Sequence, residues 1–266
     1  MEYTSILLER GEGDRAGIAT LTLNRPQVKN ALNNDMWTDL QHAFDSLSRD
    51  TSVRVVVITG AGGAFCSGAD LASRGSSDEL PPHQLVAMRR VSDVALALHR
   101  LPMPVIAKVN GVAAGAGCNL ALGCDLIVAS SDARFSEIFA RRGLAIDFGG
   151  SWLLPRLVGL HKAKELALLA DIISAQEAER IGIVNRVVPA EELDSFVDDW
   201  ALRLASGPPL ALRMTKQLLN NGVNTSMDQA LENEGRTQTV TIAATKDAPE
   251  AMMAFVEKRT PTFQGR

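Results

Sequence analysis

The chain is poor in the residues that bind metals or form disulfides. Of 266 residues, three are cysteine and four are histidine. Cys66, Cys118 and Cys124 are odd in number and lack a C-x-x-C spacing, which predicts buried, reduced thiols. His42, His83, His99 and His161 are scattered without ligand spacing, so no metal site is expected. No run of about 18 or more apolar residues is present, which excludes a membrane-spanning helix by sequence. The opening Met1-Glu2-Tyr3-Thr4-Ser5 lacks the basic segment of a secretory signal, so a cytoplasmic protein is expected. A net charge of -4 leaves no broad basic footprint for nucleic acid, although single Lys or Arg side chains can still grip a phosphorylated small molecule. No Walker A sequence and no G-x-S-x-G elbow occurs. The glycine pairs Gly60-x-Gly62 and Gly115-x-Gly117 fail as dinucleotide fingerprints, because Phe65 and Leu120 occupy the places of the third small residue.

What is present is a repeated alternation of strand, glycine-rich loop and helix. Ser5 to Glu9 and Ile18 to Leu23 read as a hairpin, and Asn33 caps a helix through Ser48 with Met36, Leu40, Phe44 and Leu47 on one face. Val53 to Thr59 is a nearly continuous β-branched run, expected as a strand buried on both faces, and it ends in the loop Gly60 to Asp70. Ser73 to Pro82 is polar, and a helix is expected from about Gln84 to His99. The apolar run Pro104 to Val109 then leads into NGVAAGAGCNLALGCD, Asn110 to Asp125, which reads as a strand feeding a helix N-terminus. Gly115, Ala116 and Gly117 would let a ligand atom approach first-turn N–H groups at the positive end of the helix dipole, a setting suited to a developing oxyanion. Further strands are expected at Asp125 to Ala129, Arg134 to Ser136 and Ile183 to Val188, with helices from Gly149 to about Ala170. This pattern predicts an α/β spiral of layered sheets over residues 1–190. From Glu191 the chain reads as a helical appendage, 191–266, broken at Gly207-Pro208-Pro209, near Gly222 and at Pro249.

Four segments in order carry a resemblance: NRP at Asn24 to Pro26, ITGAGGAFCSGADL at Ile58 to Leu71, PVIAKVNGVAAGAGCNLALGCD at Pro104 to Asp125, and AFVEKR at Ala254 to Arg259. Together they resemble the crotonase (enoyl-CoA hydratase/isomerase) superfamily over essentially the whole chain. The resemblance implies the ClpP-like spiral of ββα units, a C-terminal helical region that assembles trimers or pairs of trimers, and an acyl-CoA thioester substrate. It implies no cofactor beyond the coenzyme A that the substrate carries. The family's oxyanion-hole donors map onto the backbone N–H groups of Ala69 and Ala116. Substrate contacts map onto Lys29, Ala31, Ser67, Gly68, Asp70, Leu71, Gly115, Asn119 and Phe139, and adenosine contacts with a neighbouring subunit map onto Phe255 and Lys258.

The acid–base residues depart from the family's hydration pattern. Hydratases of the superfamily carry glutamates where this chain has Asn119 and Phe139, and neither of these exchanges a proton at neutral pH. Asp147, in the stretch Gly143 to Arg156, reads from the residues alone as a helix cap or as an acid. That stretch and the ending FVEKRTPTFQGR resemble the superfamily's ring-epoxide acyl-CoA isomerases, in which an aspartate here is the catalytic acid–base, although Ile146 replaces the proline that commonly precedes it. A dehalogenase branch shares the aspartate, but its assisting histidine falls at Ser92. Glu137 is the competing acid, and Asp70 is expected to cap the turn that follows it. The expected activity is therefore acyl-CoA isomerisation through a thioester enolate, with enoyl-CoA hydration and silent acyl-CoA binding as the rivals.

Overall fold

A computed structural model describes residues 3–71 and 83–266, so the polar segment from Ser73 to Pro82 lies outside the described residues. In chain order the first half runs β1 (Ile6–Arg10), β2 (Ile18–Leu23), α1 (Asn34–Arg49), β3 (Val55–Gly60), β4 (Ala64–Cys66), α2 (Gln84–His99), β5 (Val105–Val109), β6 (Val112–Ala114) and α3 (Ala116–Leu122). The second half runs β7 (Leu126–Ser130), β8 (Arg134–Ser136), α4 (Gly150–Val158), α5 (Leu160–Leu169), β9 (Ile173–Ser174), α6 (Ala175–Arg180), β10 (Arg186–Val188), α7 (Leu193–Ser206), α8 (Pro209–Gly222), α9 (Met227–Ala243) and α10 (Asp247–Glu257).

Two sheets form. One has the order β1-β2-β3-β5-β7-β10, parallel except for the β1–β2 hairpin, and the other has the order β4-β6-β8-β9. Each turn of the spiral places one strand in each sheet: β3 and β4, then β5 and β6, then β7 and β8. The period of two sorts the large sheet's side chains between two cores. Ala19, Leu21, Val56, Ile58, Val105, Ala107 and Ile127 face the main core, which α1, α2 and α3 also line. Ile18, Val55, Val57, Ile106 and Val128 face a second core. Both faces are thus covered, which is why β3 contains no exposed residue. α1 begins where Asn33 accepts the Met36 N–H at 3.0 Å, as expected, and its face of Met36, Trp37, Leu40, Phe44 and Leu47 is buried.

Several sequence expectations need correction. The strand Val105–Val109 does not feed α3 directly, because Gly111 turns the chain into β6 in the other sheet. A side chain at Gly111 would lie 2.9 Å from the Ala64 Cα, so only glycine permits this crossing. Ala64–Cys66, read as loop, is β4, and the two-residue β9 went unread because such short edges carry almost no periodic signal. Of Ile183 to Val188 only Arg186–Val188 forms a strand, although Ile183 and Val184 are buried in the main core. Beyond residue 190, α7 lays Leu193, Val197, Ala201 and Ala205 on the second face of the sheet. Pro249 also breaks nothing. It is the third residue of α10, where its missing N–H has no intrahelical acceptor to lose. Among the described residues no helix is long and apolar enough to cross a membrane.

Candidate functional site

Two segments from different turns of the spiral converge. The first follows β4. Leu32 N–H donates to the Gly68 carbonyl at 2.8 Å and Asp70 N–H to the Leu32 carbonyl at 3.0 Å, a parallel bridge that pairs Leu32 with Ala69. Since the groups on both sides of Ala69 point at Leu32, the Ala69 N–H is turned to the opposite side. Gly68 is left-handed, with φ +94°, and a side chain there would sit 2.7 Å from the Ala114 carbonyl and 3.7 Å from Ala116 N. The missing Cβ therefore lets this segment press against the second one, the N-terminus of α3. There Gly115 (φ 54°) is the cap, and the first helical bond runs from Asn119 N–H to its carbonyl at 3.0 Å. Ala116, the first helical residue, has an N–H with no place in the helix ladder. Gly117 packs equally closely, since its absent Cβ would be 2.7 Å from Cys66 Sγ.

The first segment is braced by residues that sequence reasoning overlooked. The buried Asn30 carboxamide donates to the carbonyls of Ala61 and Ala64 at 2.9 and 2.8 Å, and its oxygen accepts the Arg25 N–H at 2.9 Å. The Arg25 guanidinium binds the Ala31 carbonyl and pairs with Asp70 at 2.9 Å. Asp70 thus takes part in a largely buried ion pair with Arg25. Consecutive left-handed residues, Lys29 at φ 53° and Asn30 at φ 57°, are the signal that a sequence displays only as an Asn in a turn after Pro26. Lys29 is exposed and Ala31 buried, Ser67 donates its N–H to the Lys29 carbonyl at 3.0 Å, and Leu71 is exposed.

Acidic groups lie just behind α3. Asn119 is fully buried and its amide nitrogen donates to the Asp147 backbone carbonyl at 2.9 Å and to Glu137 Oε2 at 3.3 Å. A side chain at Gly150 would collide with that carboxamide, so this glycine makes room for the contact. Glu137 is buried, at 3% exposure, whereas Asp147 is only partly buried. Burial pushes the Glu137 carboxyl up to about 7; hydrogen bonds from Cys118 and Asn119 oppose the shift and the charge of Asp147 adds to it. Burial, with Glu137 beside it, raises the Cys118 thiol well above its usual range. The thiols of Cys66 and Cys124 are buried too, and burial pushes Cys66 up to about 12. Asp147 precedes a sharp turn in which Phe148 (φ 50°) and Gly149 (φ 79°) are both left-handed. A bulky residue there is strained, and Phe148 is held by burial against Trp37, with ring centroids 5.6 Å apart. The cap of α4 is Gly149, so Asp147 does not occupy the capping position. Phe139 is buried beneath Gly115, whose absent Cβ would be 3.7 Å from its ring. Phe255 on α10 and Lys258 just beyond its end are exposed and are not part of this cluster.

A spiral of two sheets whose inter-strand loops meet beside a buried carboxyl group suits reactions that build negative charge on a carbonyl oxygen next to a proton acceptor. Residues 13–266 match the enoyl-CoA hydratase/isomerase family, and the chain belongs to that family. It is similar to 1,2-epoxyphenylacetyl-CoA isomerase of Escherichia coli K12, with 38% identity covering 94% of this chain and 96% of that one. It is equally similar to crotonyl-CoA hydratase of Syntrophomonas wolfei, with 39% identity and 99% of both chains covered. The crystal structure of an enoyl-CoA hydratase from Bacillus anthracis superimposes with a TM-score of 0.92 at 33% identity, covering 99% of this chain and all of that one.

Proposed function

We propose that the protein is an acyl-CoA isomerase that holds a thioester enolate between the N–H groups of Ala69 and Ala116 and moves one proton between carbons with Asp147. The Asp147 carboxylate takes a proton from the carbon next to the thioester carbonyl or from its vinylogous position. The electron pair spreads onto the thioester oxygen, and the same carboxyl returns the proton to the other carbon. Delocalisation onto an oxygen bound by two fixed donors is what brings such a carbon within reach of a carboxylate. The site draws on Lys29, Ala31, Ser67, Gly68, Asp70, Leu71, Gly115, Asn119 and Phe139 for the acyl-thioester pocket. Phe255 and Lys258 are assigned to the coenzyme A of a neighbouring subunit in a trimer or pair of trimers.

The observation that carries isomerisation over hydration is the filling of the two family glutamate positions. Asn119 is committed to Glu137 and the Asp147 backbone, and Phe139 packs in apolar surroundings. Water addition needs a water held between ionisable groups, and of the cluster's two carboxyls only Asp147 is more than marginally exposed.

The test is deuterium wash-in at the α and γ carbons over a panel of acyl-CoAs, read by mass spectrometry beside hydration of crotonyl-CoA. Exchange and double-bond migration should far outpace hydration; hydration at rates ordinary for the family would overturn the reading, and exchange with no substrate would favour a silent binder. Asp147→Asn keeps the shape and removes the base, so turnover should fall by about 100-fold or more, with little change in KM.

A further inference from the structure

Glu137 is a buried acid that the proposed reaction does not use. It stands at the end of β8, beneath α3, and the groups facing it are Cys118 and Asn119 of α3 and Asp147 of the turn before α4. Among the described residues no Lys, Arg or His pairs with it. Among the described residues no N–H or O–H donor reaches Glu137 Oε1, and none reaches the buried Asn119 Oδ1. Two buried acceptors without such donors are costly, and a buried carboxylate served by one amide and one thiol, with no cation, is costlier still. A proton on Glu137 turns one of these acceptors into a donor and removes the uncompensated charge.

We infer that Glu137 is a positioning residue, present as the neutral acid during turnover, that holds the Asn119 carboxamide on the Asp147 backbone and adds no second negative charge beside Asp147. The inference rests on the isomerase reading and deepens it. The orientation of Asn119 follows from the same contacts, because only its NH₂ can donate to the Asp147 carbonyl. The raised proton affinity of Glu137, at about 7, agrees with a neutral acid in mildly acidic to neutral solution. Ionising Glu137 adds a second negative charge where the reaction is already building one on the enolate, and the reaction slows.

Two measurements test this together. In the parent enzyme kcat should decline about tenfold from pH 6 to pH 8 while KM holds, as one proton is lost from a group titrating near neutrality. Glu137→Gln, which keeps the acceptor for Asn119 and cannot ionise, should abolish that decline. Glu137→Ala should lower kcat at every pH with KM little changed, and the glutamine variant should recover most of that loss. Carbon-13 NMR of glutamate-labelled protein should show one side-chain carboxyl titrating near 7 that is missing from Glu137→Gln. A carboxyl at Glu137 titrating in the ordinary glutamate range, or an alkaline decline that survives in Glu137→Gln, overturns the inference. An active Asp147→Asn variant instead overturns the isomerase reading, and the positioning role with it, whereas the NMR titration reports the protonation of Glu137 in either case.

Discussion

At the residue scale, burial gives two carboxyls of one cluster different properties. Asp147 stays partly exposed on a strained turn, and Glu137 lies beneath it with an amide and a thiol for company. The folded protein therefore keeps the Glu137 proton to about pH 7, while an unfolded chain releases it near 4.5. A carboxyl with its folded value raised favours the folded state most at acidic pH and withdraws that support as pH climbs from 4.5 through 7. The full effect is about 3.5 kcal/mol, since the carboxyl moves from 4.5 to about 7 and each tenfold change in proton affinity is worth about 1.4 kcal/mol. Glu137→Gln removes this pH dependence, so thermal melts should show the variant gaining on the parent between pH 5 and pH 8. A constant difference over that range would mean that Glu137 is already ionised in the fold.

At the element scale, the site depends on how closely α3 approaches β4. Gly117→Ala separates two opposing effects. Alanine gains about 1 kcal/mol of helix propensity over glycine, but a Cβ here would lie 2.7 Å from Cys66 Sγ and collide with the Cys66 carbonyl. Overpacking costs about 1–3 kcal/mol, and here backbone faces backbone, so the collision wins. The melting temperature should fall and kcat with it, since any retreat of α3 separates Ala116 from the Ala69 segment. A variant as stable and as active as the parent would show that the helix N-terminus is free to shift. Gly111 and Gly150 follow the same logic at the β5–β6 crossing and beside Asn119.

At the scale of the whole molecule, the last three helices carry apolar side chains that a lone chain leaves in water. Leu219, Val223, Met227, Ile242, Met252 and Phe255 are all exposed, Phe255 at 85%. The chain end is nevertheless ordered against this region: Asp247 accepts the N–H groups of Gln264 and Gly265 at 2.7 and 2.9 Å, and Lys246 N–H donates to the Arg266 carbonyl at 2.7 Å. Light scattering should give three or six chain masses; a stable, active monomer would count against assembly through these helices. Lys258→Ala should raise KM for the acyl-CoA several-fold with a smaller change in kcat, because a phosphate contact supports ground and transition states alike.

Much of this was legible without coordinates. The hairpin, the Asn33 cap, α2 and the doubly buried β3 follow from periodicity and capping, which are local. That the residues at 119 and 139 are Asn and Phe, which cannot exchange a proton at neutral pH, is legible because these are identities rather than positions. What tertiary packing alone decided is who is buried and who meets whom. Cys66 and Gly117, or Glu137 and Asn119, touch because successive turns of the spiral stack. α7 joins the core because the second face of a parallel sheet needs a cover, which nothing in the helix's own pattern announces. The raised proton affinity of Glu137 belongs to the same group, since desolvation is a property of the neighbours that fold around a side chain and not of the side chain's place in the sequence.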